Sequence, residues 1–424
     1  MRLQSYIVGL AMTFAGCAGE ELSVTEESLT VYDLNVVTDW NNTALNTVRA
    51  DAVVNRQTRD MAMVQGAMFD AMNAIRAQYT PALVSVEGPG YASREAAGAQ
   101  AAHDVLVALF PAQRAALDAQ LATSLSHIPD DRPNGNQPKA AGIVVGQQVA
   151  AAVLLLRAND HAFDTKVFVQ PPAGPGVYQL TPGCTAANMS VPHWGTVTPF
   201  TAATPTLEQH PPVDSQEWLD SLAEVRAYGA VNSSVRSLEQ TQIALFWLEP
   251  SLPSMNRLAR AMILAEAAQG NPGQAQQQLL EHARLFAALN IAEADTYIYT
   301  WKVKYDQLFW RPFTAINTTF PGTNWVPLRQ TPCHPEYYAA HGTLTAAGTG
   351  ALQNYFGDAI DVDATSTTLV GVTRHYTSFD GMLDEVNRAR IYAGFHYRST
   401  LVRSNVMGRY ISSFVDTEIM QPLD

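Results

Sequence analysis

The sequence is poor in charge. Only 15% of its 424 residues are Asp, Glu, Lys or Arg, against 47% hydrophobic, which excludes a disordered chain and fits a large buried core. Positive charge is scarcer still: 26 Lys and Arg against 39 Asp and Glu leave a formal net charge of −13. That balance argues against a general nucleic-acid surface, and any anion site must be a local cationic pocket. There are three cysteines and no CxxC or HExxH motif, so a zinc site has no direct support. After the N-terminus no stretch reaches 18 continuous apolar residues, so the mature chain is expected to be soluble or tethered only at its start. No segment reads as a β-strand, which leaves an all-α helical-bundle fold as the expectation.

What is present at the N-terminus reads as an export signal. Arg2 precedes a short apolar stretch from Tyr6 to Ala15, and Phe14-Ala15-Gly16-Cys17 resembles a lipoprotein cleavage box with Cys17 as the lipidated residue. The expected location is the cell envelope, with periplasmic or secreted protein as the alternative, and the only membrane contact is that anchor. Cys184 and Cys333 then remain, either as a disulfide in an oxidising compartment or as two buried thiols.

Composition divides the chain into a leader (1–17), a polar leader (18–44), a helical region (45–165), a connector (166–214) and a second helical region (215–424). Met61, Val64, Met68, Met72 and Ile75 recur at intervals of three and four and mark one buried helix face. Residues 93–126 and 137–158 read as two further helices. The connector carries nine prolines between Pro171 and Pro212, which break helices, and its length suits a segment that packs over a surface or rims a site. Beyond it, helices are expected over 274–290, then on to about Trp310, and over 336–356 and 380–417.

Three blocks in the second region carry chemistry. In the first, Lys304 and Arg311 stand seven residues apart, about 20° apart on a helix surface, among Tyr305, Phe309 and Trp310 and before a helix-breaking Pro312. Two cations on one face can grip an anion, or they can form a solvated basic face. In the second, Cys333-His334-Pro335 precedes His341, and Pro335 suits a helix start whose free N–H groups favour an oxyanion. His341 there is a general acid or base, or else a structural histidine. In the third, Arg390 and His396 lie about 120° apart on an ideal helix, so helical geometry alone does not bring them to one ligand.

In order and spacing the three blocks resemble the signature of the vanadium-dependent haloperoxidase and type 2 phosphatidic acid phosphatase superfamily: Lys-x6-Arg-Pro, Pro-Ser-Gly-His and Ser-Arg-x5-His. Residues 61–75 and the connector through Pro192-His193-Trp194-Gly195 extend the likeness. The resemblance implies that Lys304, Arg311, Arg390 and the backbone N–H of Ala340 bind the oxygens of vanadate, with phosphate able to occupy the same pocket. It makes His396 the vanadium ligand and His341 the acid/base. It makes hydrogen peroxide, a halide and a small organic acceptor the reaction partners. His334 resembles a histidine of the family's bromoperoxidases and so marks a halide site weakly favouring bromide. Family members often pair, so a homodimer is open. The chain departs from the pattern at Ala339 and Ala389, where the family has serine, and at Thr400, where many members carry the aspartate that orients the final histidine. Two alternatives therefore stand beside a haloperoxidase: a phosphatase working through phosphohistidine, and a member that binds an oxyanion without chemistry.

Overall fold

The computed structural model describes residues 35–128, 137–269 and 278–423. The export signal and Cys17 lie outside these residues. Thirteen α-helices are described, with one small hairpin: α1 (Val36–Val48), α2 (Val54–Asn73), α3 (Arg94–Leu109), α4 (Arg114–Ser126), α5 (Pro138–Leu156), α6 (Gln216–Tyr228), α7 (Leu238–Phe246), α8 (Ser251–Gln269), α9 (Leu279–Gln307), α10 (Pro312–Thr319), α11 (Ala340–Phe356), α12 (Phe379–Tyr392) and α13 (Arg398–Glu418). The expected all-α architecture is the observed one, and α1 begins inside the stretch read as a polar leader.

The long helix α9 is the axis of the molecule. It packs on α1 and α2 at one side and on α11 and α13 at the other. Met61, Val64, Met68, Met72 and Ile75 are all buried, as their spacing predicts. Helix α5 approaches α3 so closely that a Cβ on Gly142 would lie 2.4 Å from the Ser93 carbonyl oxygen, and one on Gly146 2.5 Å from that of Ala97. Glycine is required there by contact, not by conformation. Among the described residues α5 is the one helix with the length and mean hydropathy (1.7) to cross a membrane, and a third of it (33%) is buried.

Several expected helices are divided or shifted. The 93–126 helix breaks at Pro111, which lacks the N–H that would continue it. The two helices expected up to Trp310 are one, α9, which ends when Leu308 turns into the left-handed region (φ 48°). The helix expected over 336–356 starts at Ala340, so Pro335 precedes it instead of opening it. The helix expected over 380–417 stops at Tyr392, and Gly394 (φ 81°) redirects the chain. A Cβ there would lie 2.7 Å from the Gly229 carbonyl oxygen, so no larger residue fits the turn. The expectation of no strands fails locally: Ala359–Thr365 pairs antiparallel with Thr373–Ser378, with Val362 opposite Tyr376 and Thr365 opposite Thr373. These short, half-exposed β-branched segments rely on each other's backbone for hydrogen bonds, which a single-strand pattern does not reveal.

Candidate oxyanion site

The breaks in the helices build the site. Lys304 lies in the last turn of α9, and Arg311 is the N-cap residue of α10, whose first residue is Pro312. The two cations therefore do not share a helix face, and Pro312 opens a helix instead of ending one. What brings them together is the turn between, clamped from both sides. Tyr178 N–H donates to the Leu308 carbonyl (2.6 Å), Trp310 N–H to that of Gly176 (3.0 Å), and Glu336 N–H to that of Phe309 (2.9 Å). The proline-rich connector thus rims the site. It is also fastened to the second block by a Cys184–Cys333 disulfide and by Ser190 N–H on the Cys333 carbonyl (2.9 Å).

Arg311 is wholly buried. It donates through Nη1 to the Phe395 carbonyl (3.0 Å) and to His396 Nε2 (3.2 Å), and through Nη2 to His334 Nδ1 (2.9 Å). The His334 ring also lies 5.1 Å from that of Trp301. Lys304, equally buried, directs its ammonium protons at the carbonyls of Pro335 (2.9 Å), Glu336 (2.9 Å) and Tyr338. Arg390 lies in the last turn of α12 and donates through Nη1 to the Trp247 carbonyl (2.5 Å), while its buried Nε has no partner. Ala340 is the first residue of α11, and no side chain caps that helix. One residue on, His341 Nε2 lies 3.1 Å from the Glu249 carbonyl.

The loop Trp247–Glu249 thus holds both Arg390 and His341, and no motif in the sequence singled it out. A second residue missed by the sequence reading is Glu336. Its Oε1 accepts from His396 Nδ1 (2.8 Å) and from the Tyr397 N–H (3.3 Å), and its Oε2 from the Thr400 hydroxyl (2.9 Å). It stands sixty positions before its partner, so spacing carries no signal.

Electrostatics make these groups one cluster. Burial, then the charges of Arg311, Lys304 and Arg390, hold His396 well below the ordinary histidine range. Burial followed by Lys304 and Arg311 does the same for His334, and burial followed by Arg390 for His341. Lys304 is itself pushed well down by burial and by Arg311, and Arg390 is lowered to about 9 by burial and Arg311. Opposing them, Glu336 is the buried carboxylate in contact with the cluster; burial raises it to about 7 against the pull of Arg311 and Lys304. Three buried cations thus face one carboxylate. Such an excess is costly unless an anion completes it.

Comparison with known proteins agrees with that geometry. Residues 284–424 match the family of the VCPO second helical-bundle domain, and this stretch contains all three blocks. The last third of the chain thus carries a helical-bundle domain of the VCPO type. A vanadium chloroperoxidase of Curvularia inaequalis is 25% identical over 167 residues, covering 34% of this chain and only 27% of that enzyme. In fold, the chain is similar to the first bacterial vanadium-dependent iodoperoxidase, with a TM-score of 0.73 and 22% identity, over 91% of this chain and 98% of that one. It is also similar to a bacterial vanadium-dependent chloroperoxidase in its holo form, with a TM-score of 0.63 and 16% identity, over 91% and 92%. The haloperoxidase fold thus extends well beyond the matched C-terminal domain.

Proposed function

We propose that the chain is a vanadium-dependent haloperoxidase-like enzyme that oxidises halide with hydrogen peroxide. The observation that carries this reading is the buried Nε of Arg390, unpartnered in a cluster where three cations meet one carboxylate. Vanadate fits this donor set as a tetrahedral oxyanion with charge to neutralise. When bound, it supplies a Lewis-acidic centre that activates hydrogen peroxide toward halide.

The chain's own groups have separable tasks. Arg311 and Arg390 neutralise and orient the oxyanion, and the uncapped start of α11 adds the Ala340 N–H. Lys304 contributes its charge at short range and meets an oxygen only by giving up one of its three carbonyl contacts. His396 presents Nε2, the nitrogen facing Arg311, as the vanadium ligand. His341 donates through Nε2 to Glu249, which leaves the Nδ1 lone pair as the proton acceptor. His334, between Arg311 and Trp301, is the halide-site residue, and bromide is the favoured halide. The paired cysteines support an exported protein, since disulfides persist in oxidising compartments, and Cys17 is its proposed anchor.

Purified protein loaded with orthovanadate is expected to brominate phenol red when given bromide and peroxide. Hydrolysis of nitrophenyl phosphate without bromination turns the assignment to a phosphatase in which the same His396 Nε2 attacks phosphorus. Vanadate binding by calorimetry with neither activity identifies an oxyanion-binding protein that has lost its chemistry along with the hydroxyls absent at Ala339 and Ala389.

A further inference from the structure

We propose that Glu336 is the positioning residue for His396, doing from a distant segment what an aspartate at position 400 does elsewhere in the superfamily. Every contact of its carboxylate serves that end. Oε1 takes the Nδ1 proton of His396 at 2.8 Å, while the Tyr397 N–H (3.3 Å) and the Thr400 hydroxyl (2.9 Å) hold the carboxylate in place. A carboxylate only accepts and a guanidinium only donates. With Glu336 on Nδ1 and Arg311 Nη1 on Nε2 (3.2 Å), the neutral ring has one arrangement that satisfies both neighbours: proton on Nδ1, lone pair on Nε2. That lone pair is what an oxyanion centre needs from the histidine.

The apparent loss at Thr400 is therefore an exchange of partners. Threonine keeps a hydroxyl that orients Glu336, and an aspartate there would bring a second buried carboxylate within reach of the first. The main chain of Glu336 joins the same device, because its carbonyl accepts from Lys304 (2.9 Å) and its N–H donates to Phe309 (2.9 Å). One residue thus sets the histidine through its side chain and the lysine through its backbone.

This inference rests on His396 as the oxyanion-facing histidine, but its test does not need bound vanadate. Long-range proton–nitrogen NMR of the ligand-free, 15N-histidine-labelled protein, with His396 assigned from the signal lost in His396→Asn, is expected to show Nδ1 protonated and Nε2 bare. Glu336→Leu should shift His396 toward the Nε2–H form and lower orthovanadate affinity by calorimetry roughly 10–100-fold. Glu336→Leu with Thr400→Asp should recover most of both. A wild-type ring protonated on Nε2, or a Glu336→Leu protein with unchanged tautomer and affinity within twofold, overturns the proposal. If Glu336→Leu does not fold, Glu336→Gln decides: about tenfold weaker vanadate binding is expected, and unchanged binding overturns it. A wild-type protein that retains no vanadate, yet whose tautomer depends on Glu336, removes the haloperoxidase reading and leaves this pairing intact.

Discussion

Two regions of this molecule bury arginines, and they treat them in opposite ways. In the N-terminal half, Arg59 reaches Asp60 (2.9 Å) and Asp160 (2.6 Å), and Arg157 shares Asp160 (2.8 Å) while donating to the carbonyls of Thr198 and Pro199. Each charge there is answered by an opposite one or by the backbone. In the C-terminal half, Arg390 donates to a carbonyl and Arg311 to carbonyls and imidazoles, and among the described residues Glu336 is the one carboxylate in contact with their cluster. A closed network holds structure. An open one keeps electrostatic energy available for a ligand, and the fold must support it from outside. The disulfide, the connector and the clamp on the 308–310 turn supply that support.

The largest expected effect comes from breaking the closed network. Arg59→Ala strands the carboxylate of Asp60 and leaves Asp160 to Arg157 alone, and the loss of stability is expected at roughly 3–5 kcal/mol, read from the urea midpoint. The folded fraction should bind phosphate as before. Stability equal to wild type would show that this network does not hold the bundle.

Removing the covalent link tests the support of the open one. Cys184→Ser with Cys333→Ser releases a constraint across 149 residues of chain, and a loss of about 2–4 kcal/mol is expected. Thermal unfolding of the wild type with and without reductant gives an independent reading.

Arg390→Ala sharpens the contrast because its sign differs. Removing an under-partnered buried cation should leave unfolding stability unchanged or raise it. It should also weaken orthovanadate and phosphate alike by about one to two decades, the worth of a charged hydrogen bond at roughly 1.5–3 kcal/mol. Wild-type protein at a phosphate concentration 100 times its Kd should gain about 2.7 kcal/mol, and in the variant that gain should fall to about 0.4–1.4 kcal/mol at the same concentration. A variant that binds both anions normally would place Arg390 outside the site.

Per unit of pH the effect is smallest for Glu293 on α9. Burial raises this carboxyl to about 8, and its Oε1 accepts from Ser251 while Oε2 has no partner. The folded state keeps a proton that the unfolded chain releases above the ordinary pKa of 4.5, so stability falls as pH rises from 4.5 toward 8 and levels off beyond. Glu293→Gln removes that dependence. Its advantage over wild type should grow between pH 5 and 8 by on the order of 1 kcal/mol per unit. A difference that stays flat across this range would show that the carboxyl is already ionised in the folded protein.

Legibility in the sequence follows the range of the interaction involved. The Met61–Ile75 stripe was readable because a helix repeats its buried face every three or four residues, and all five residues are buried. The proline-rich connector was readable because its composition forbids helix. The cationic blocks were readable as motifs, but their geometry was not. Seven-residue spacing placed Lys304 and Arg311 on one helix face, whereas the left-handed turn at Leu308 ends that helix first. Six-residue spacing separated Arg390 from His396, whereas the turn at Gly394 returns the chain toward the pocket. A single residue with positive φ overrides periodicity at each place, and Gly176 and Tyr178, which clamp the first turn, stand well over a hundred residues before it.

The sequence by itself determined the helical class, the connector and which ionisable groups to look for at one candidate site, because side-chain chemistry and periodicity are properties of short stretches. Only the tertiary structure decided that Glu336 serves His396, that Cys184 joins Cys333, and that the Trp247–Glu249 loop holds Arg390 and His341. The physical reason is desolvation. A buried polar group takes whichever partner packing brings within hydrogen-bond distance, and that choice exists only once distant segments have excluded water together.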